Sequence, residues 1–356
     1  MFLANLLTFV LPLLPEVSEP RPTADLLFAG DAMMHEAQIS AAKTGGTYDF
    51  DGYFDAVKPY VESADFAVVN FEASLGGRPH RGYPCFSAPD EYATALSDAG
   101  FDFFLLANNH ILDRNDRGLH RTIATLDSLG IPHTGIFHNK EDRTSRVPAM
   151  VNVKGFSLAI LNYTYGTNGF TPRGDAIVDY IDTQVIESDI KAARKAGAEL
   201  VAVCIHWGDE YKLLPNAAQK SLADKLTAMG ADMIIGGHPH VVQPMEMRSR
   251  ADGSKTLLVY SLGNFISNMK TDNTRGGAMV RVHLERDSAG NARVGSAAYS
   301  LVFTEAPSAA AGRNFRLRPA HAVESAKAKV FRNNAERIFS AHNAGVEADT
   351  LFLKLK

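Results

Sequence analysis

Cysteine is scarce. The 356 residues include two, Cys85 and Cys204, and neither sits in a Cys-x-x-Cys pair, which excludes a disulfide framework and cysteine ligation as organising devices. An excess of one charge is missing as well: 36 basic residues face 40 acidic ones, for a formal net charge of -4. Nucleic-acid binding depends on Lys and Arg neutralising phosphates, so a mildly acidic chain without a long basic run has no electrostatic footprint for that partner. The apolar stretch at residues 1–15, MFLANLLTFVLPLLP, falls short of the roughly 20 residues of a comfortable membrane span. It reads as a signal or envelope anchor, or as an amphipathic N-terminal helix packed on the body; the first basic residue is Arg21, so the positive start of a secretory signal is lacking. Repeats and low-complexity tracts are absent. What is present is ordinary, 46% hydrophobic and 21% charged. At roughly 150 residues per domain, the length allows about two domains or one large α/β unit.

Between the ends, short apolar runs alternate with helix-like segments, as in a βαβ protein. The runs are LLFA at 26–29, FAVV at 66–69, FFLLA at 103–107, LVAVCI at 200–205, MII at 233–235 and LLVY at 257–260. Continuous hydrophobicity in a strand means that both faces are covered. Helices are predicted over 118–129, with Leu119, Ile123, Leu126 and Leu129 on one stripe, over 183–196, and from Pro215 onward with Ala218, Leu222, Leu226 and Met229. Residues 277–304 read as two further strands, 305–320 as a linker or surface loop, and 321–342 as a polar helix burying Val330, Phe331 and Phe339. The class is α/β with a sizeable sheet.

Chemistry enters immediately after the runs. LLFA leads into Gly30-Asp31, FAVV into Asn70-Phe71-Glu72, FFLLA into Asn108-Asn109-His110, LVAVCI into His206, MII into Gly-Gly-His238-Pro-His240, and LLVY into Ser-Leu-Gly-Asn264. Ligands of open α/β sheets bind outside the carboxyl ends of the strands, where these loops converge. A mixed set of Asp, Glu, Asn and His suits Zn, Mn, Fe or a similar divalent ion, and does not suit a calcium cage. Singly, each residue has a bland reading: Asp31 as a turn residue, His206 as a satisfied core histidine, the Asn pair as turn formers. Two histidines one residue apart project to opposite sides of a regular strand, so His238 and His240 serve one site only if the Gly- and Pro-containing turn bends the backbone.

Taken together, FAGDAMMH, VVNFEASL, YPCFSAP, LLANNHILDRNDRGL, NYTYGTNG, IHWGDEY, IGGHPHVVQPME and YSLGNFISN resemble the CapA family of poly-γ-glutamate capsule biosynthesis proteins, over about residues 24–285. That family is similar to the calcineurin-like metallophosphoesterases, and the resemblance implies a four-layer α/β/β/α sandwich with a two-metal site at the strand ends. It divides the chain into an apolar segment at 1–23, a CapA-like domain at 24–305 and a linker with helical tail at 306–356. It also implies roles. Asp31, Glu72, Asn109, His206, His238 and His240 match the metal ligands, with Glu72 in the bridging place. His110 matches the residue that donates a hydrogen bond or proton at the reacting group, and Asp113, three residues on, is placed to orient its ring. The chain departs from the superfamily at Met33, where the first motif has a histidine, and in carrying Glu where the bridging residue is Asp; His35 is the only nearby imidazole, and is not expected to substitute.

The resemblance thus implies metal-assisted hydrolysis with one or two divalent ions, Mn, Zn or Fe, acting on an anionic polymer or phosphoester. Substrate contacts are expected from Tyr163, Thr164 and Tyr165, from Asn264, and from the stretch with Arg78, Arg81 and Tyr83, whose guanidinium groups suit an anionic chain. Trp207 is expected as a wall beside the site. The cell envelope, periplasmic or membrane-associated, is the expected location, with the cytoplasm as the alternative; a membrane synthesis and export complex is the expected partner. Competing readings are a non-hydrolytic accessory that binds polymer on the same scaffold, and a nucleotidase or phosphodiesterase.

Overall fold

Each of the six apolar runs begins within a strand of one of two large sheets, and FFLLA and LLVY run past the ends of theirs. A computed structural model describes residues 21–250, 253–309 and 312–355, so the apolar start and its signal or anchor reading lie outside the described residues. In chain order the first eight strands of these two sheets are β1 (Thr23–Ala32), β2 (Phe66–Asn70), β3 (Phe103–Leu105), β4 (His133–Thr134), β5 (Ala149–Val153), β6 (Phe156–Thr164), β7 (Leu200–His206) and β8 (Met233–Gly237). There follow β9 (Met245–Ser249), β10 (Lys255–Val259), β11 (Asn264–Ile266), β12 (Gly276–Arg286), β13 (Ala292–Glu305), β14 (Arg316–Pro319) and β15 (Val346–Ala348). One sheet runs β14-β13-β12-β1-β2-β3-β4, with β11 beside β1 and β15 beside β13; the other runs β9-β10-β8-β7-β6-β5. The strands β1 to β4 are mutually parallel, as are β10, β8, β7 and β6, so their carboxyl ends point the same way within each sheet.

Side chains alternate across a strand, and the apolar residues sort into three layers accordingly. Leu26, Phe28, Val68 and Leu105 of the first sheet meet Ile160, Cys204, Ile235 and Val259 of the second. On the outer face of the first sheet, Leu27, Val69 and Phe104 pack with Tyr92 and Leu96 of helix α1 (Asp90–Asp98) and with Leu119, Ile123 and Leu126 of α2 (Asn115–Ser128). On the outer face of the second, Leu161, Val203 and Ile234 pack with Ile186 and Ile190 of α3 (Thr183–Lys195) and Ala223 and Leu226 of α4 (Ala217–Ala228). The result is the four-layer α/β/β/α order. Fully burying one such aliphatic or aromatic side chain contributes about 1.5–3 kcal/mol, which makes the layers the main source of stability.

Several details differ from expectation. Leu129 is the C-cap of α2, beyond the stripe, and is 43% exposed; Ala218 is exposed because α4 begins at an Asn216 cap and turns Gln219, Ala223 and Leu226 inward. The tail helix α5 (Ala326–His342) buries Ala328, Phe331, Ala335 and Phe339, a spacing of three to four that leaves Val330 outside the stripe and exposed. Residues 306–356, expected as linker and helical tail, also supply β14, antiparallel to β13, and β15, parallel to it, so the tail is woven into the first sheet. Among the described residues, no helix is long and apolar enough to cross a membrane.

Candidate metal centre

Register carries the polar residues to one place. In the first sheet Asp31 at the end of β1 pairs with Asn70 on one side and with Asn264 on the other; in the second, His206 at the end of β7 pairs with Gly237 and Thr164. The two rows face each other closely enough that a Cβ on Gly237 would stand 2.7 Å from Asp31 Oδ1, which only glycine avoids. Beyond Gly237 the chain bends sharply: His238 and His240 both adopt left-handed backbone, at φ 97° and 57°. That conformation is uncommon for a histidine, and it brings both rings to the same side. Ring centroids of His238 and His240 are 5.9 Å apart, and those of His206 and His238 are 4.8 Å apart.

Asp31 accepts from Asn70 Nδ2 at 2.8 Å and from the His238 N–H at 3.2 Å, and its Oδ2 lies 3.3 Å from His240 Nδ1. Asn109 Oδ1 is 2.9 Å from His206 Nε2, and Asn264 Oδ1 is 3.0 Å from His240 Nδ1. Glu72 is fully buried, with Oε1 3.6 Å from His206 Nε2 and 3.8 Å from His240 Nε2, yet neither of its oxygens has a hydrogen-bond partner among the described residues. Beside this cluster His110 Nδ1 is 2.8 Å from Asp113 Oδ2, and its ring stands edge-on to Phe86 at 4.6 Å.

Burial raises the Glu72 carboxyl, and the neighbouring Asp31 charge raises it further, to about 8. Burial works against the Asp31 charge too, but the hydrogen bond with His240 and the charges of His206 and His240 outweigh it and hold that carboxyl at about 2. Burial pulls the imidazoles of His206 and His238 down, to about 3 and about 2, while at His240 the Glu72 and Asp31 charges overcome burial and raise it to about 9. The neutral imidazoles of His206 and His238 beside acidic oxygens are what a divalent ion takes, and an ion would displace the proton that His240 holds. An unpartnered buried carboxylate is costly by itself, whereas bound to a cation it is satisfied. The donor set therefore fits a metal. Among the described residues, ligand atoms of Asp31, Glu72 and His206 lie within 4.8 Å of one another, and so do those of Glu210, His238 and His240.

Comparison with known proteins agrees with the resemblance. Residues 25–269 match the model of a family described as bacterial capsule synthesis protein PGA_cap. The chain belongs to that family. The capsule biosynthesis protein CapA of Bacillus anthracis is 30% identical over 273 residues, covering 73% of this chain and 63% of that protein. The PGA biosynthesis protein CapA of Bacillus subtilis (strain 168) is 29% identical over 273 residues, covering 75% and 69%. The chain thus spans about two thirds of the length of these curated relatives. A calcineurin-like phosphoesterase, YfkN from Bacillus subtilis, superposes with a TM-score of 0.48 at 13% identity, covering 90% of this chain and 99% of that one.

Within this PGA_cap chain, Asp31, Glu72, Asn109, His206, His238 and His240 converge, with His110 and Asp113 at their side. Other expected residues stand elsewhere. Tyr163 is fully buried under α3, where its hydroxyl donates to Asp189 at 2.8 Å, and Thr164 is buried with its hydroxyl on Gly166 O at 3.0 Å, so neither offers a substrate contact. Asn264 is likewise buried, held between His240 and Thr274 O behind the cluster. Trp207 packs into the outer layer against Tyr260 and is not a wall of the site. Arg78 donates to Gly46 O at 2.8 Å, away from the cluster. Met33 is buried in the apolar layer under the first sheet, and His35 Nδ1 accepts from the Asn268 N–H at 3.3 Å, outside both ligand groups. Tyr165 does reach the centre: it is 47% exposed and its ring lies 4.4 Å from that of His238. Arg81 and Tyr83 are exposed on the loop whose Phe86 packs on His110. Two residues escaped the sequence reading. Asn70 stands directly after a buried run, which is its signal; Glu210 lies four residues past the end of β7, inside IHWGDEY, where nothing beyond that segment marks it.

Proposed function

We propose that this protein is a divalent-metal-dependent hydrolase in the synthesis or export of an anionic envelope polymer, with poly-γ-glutamate as the substrate class that the family resemblance implies. The observation that carries the reading is Glu72, a carboxylate buried among His206, His240 and Asp31 with both oxygens unpartnered. Asp31, Glu72, Asn109, His206, His238 and His240 are the residues that would hold one or two ions, Mn, Zn or Fe. When bound, such ions make water nucleophilic near neutral pH and polarise the bond under attack.

The chain's own groups do the rest. Asp113 Oδ2 accepts the hydrogen bond of the His110 Nδ1–H, fixing the tautomer and leaving Nε2 to exchange a proton with the leaving atom. Phe86 fixes the ring from its edge, and the Phe86 N–H donates to the same Asp113 oxygen at 2.7 Å. Tyr165 and Arg81, both exposed, are the contacts offered to an extended anionic chain. The envelope is the proposed location, and a membrane synthesis and export complex the proposed partner. Met33, in place of a histidine, favours a second reading in which the centre binds polymer without cutting it.

The test is metal analysis of the purified protein together with hydrolysis assays on poly-γ-glutamate, phosphomonoesters and phosphodiesters. Bound metal and a turnover lost in His110→Ala and His238→Ala are expected. Less than about a tenth of a metal equivalent after reconstitution refutes the hydrolase; metal without turnover transfers the role to binding.

A further inference from the structure

Glu210, an exposed acid in the IHWGDEY segment, faces the Gly-Gly-His-Pro-His turn. Its carboxylate and ligand atoms of His238 and His240 lie within 4.8 Å of one another. The loop carrying it is clamped to the histidine turn. The Trp207 N–H donates to Gly237 O at 3.1 Å and the Tyr211 N–H to Pro239 O at 2.8 Å, so the segment between them, Glu210 included, is tied at both ends to the backbone that positions His238 and His240. Tyr211 takes a left-handed φ of 66° to make that second bond. Adjacent Asp209 is committed elsewhere, accepting from Asn216 Nδ2 at 2.8 Å. At the centre, His238 is only 3% exposed, and its Nδ1 has no hydrogen-bond partner among the described residues. The first motif contributes no imidazole, because Met33 occupies that position and is packed in the apolar layer with Tyr92 and Phe86.

We propose that Glu210 is a metal ligand which, with His238 and His240, holds a second divalent ion in place of the imidazole that the first motif lacks. Asp31, Glu72 and His206 form the other group, so each ion has its own carboxylate and imidazole donors. A carboxylate oxygen in place of a ring nitrogen hardens the second position, favouring Mn over Zn there relative to an all-imidazole set. The proposal rests on the metal-centre reading, and the experiment separates the two.

Full-length wild type, Glu210→Gln, Glu210→His and Asp209→Asn are stripped with chelator, titrated with Mn and with Zn, and followed calorimetrically, with bound metal counted by mass spectrometry and Mn–Mn coupling read by electron paramagnetic resonance. Expected are two equivalents and a coupled signal in wild type and in Asp209→Asn. Glu210→Gln should keep the first equivalent, weaken the second by at least about tenfold, and lose the coupling. Glu210→His should restore the second equivalent with its preference shifted toward Zn. Two equivalents of unchanged affinity in Glu210→Gln overturn the assignment of Glu210 and leave the metal centre intact. A single wild-type equivalent indifferent to Glu210→Gln overturns it as well, and a wild type that binds none removes the centre and the ligand together.

Discussion

Replacing Glu72 with glutamine should make the metal-free protein more stable and the metal-loaded protein less so. Burial and the Asp31 charge raise this carboxyl from its ordinary 4.5 to about 8. Between those values the folded protein binds more protons than the unfolded chain, so metal-free stability falls as pH rises through that window. At 1.36 kcal/mol per pH unit, the raised Glu72 carboxyl costs about 3 kcal/mol at pH 7, where the folded protein still holds its proton, and about 5 kcal/mol above pH 8, where it is charged and buried. His240 acts with the same sign: raised to about 9, it contributes stability that is full below its ordinary 6.5 and is lost as pH rises toward 9. Glutamine removes the charge but leaves a buried amide short of partners, so the expected recovery is roughly 2 kcal/mol at about pH 8.5. Metal reverses the order. An ion at about a hundred times its Kd stabilises wild type by about 2.7 kcal/mol and the variant, which lacks the Glu72 carboxylate, by much less. Urea denaturation of chelator-treated protein at about pH 5.5 and pH 8.5, repeated with Mn, measures all of this. A metal-free variant that is less stable than wild type at the higher pH, or one that gains as much from Mn, would refute the placement of an unpartnered carboxylate at the centre.

Asp113→Asn should lower turnover by about a hundredfold with metal content unchanged, since the partner of His110 Nδ1 is altered while the ligands are not; steady-state rates beside metal counts decide it. Asn264→Ala should weaken metal affinity by about 10- to 100-fold without changing KM, because the side chain orients the His240 ring and does not reach solvent; isothermal titration reads the shift. Tyr163→Phe should cost about 1 kcal/mol of stability through loss of the hydrogen bond to Asp189 and leave turnover unchanged, whereas Tyr165→Ala should raise KM; a turnover defect in Tyr163→Phe would contradict its burial under α3. Phe331→Ala should destabilise by about 3–5 kcal/mol and Val330→Ala by less than about 0.5, as measured by urea midpoints, since only the former faces the sheet.

The architecture was legible because strand and helix leave different periods in the chain. LLFA, FAVV, LVAVCI and LLVY are apolar on both parities, and each is indeed covered on both sides, with Leu26 and Phe28 facing the second sheet while Leu27 faces the helices. The same continuity hid which way a given residue points. Along β6, Leu158 and Ile160 face the inter-sheet layer while Ala159, Leu161 and Tyr163 face α3, so parity alone assigns Tyr163 to the outer layer. A strand with one polar face would have announced that parity; this one has two apolar faces, and the tyrosine was read with the loop that follows it. The tail was obscured for another reason. RLRP is four residues long and carries two arginines, and it is a strand because β13, at fourteen residues, leaves an edge for it to pair with.

The site divides along the same physical line. Asp31, Asn70, His206 and the pair His238 and His240 each stand at, or within three residues of, the end of a parallel strand, and parallel strands in one sheet necessarily deliver such residues to one edge, so adjacency in sequence was sufficient. Glu210 obeys no such rule. It and Asp209 are consecutive acids on a loop, chemically near-equivalent, and nothing local distinguishes the one that Asn216 holds from the one that faces the histidines. The choice is made by contacts between distant segments: Tyr211 tied to Pro239 turns Glu210 toward the histidine pair, while Asn216 holds Asp209 at the start of α4. Shortening the acid at position 210 therefore offers a sharp test of that geometry. The swap Asp209→Gln with Glu210→Asp keeps one acid on the loop but shortens its reach by a methylene, and should weaken the second ion more than Asp209→Asn does alone, because the shorter carboxylate withdraws from His238 and His240 while the clamp at Trp207 and Tyr211 stays in place.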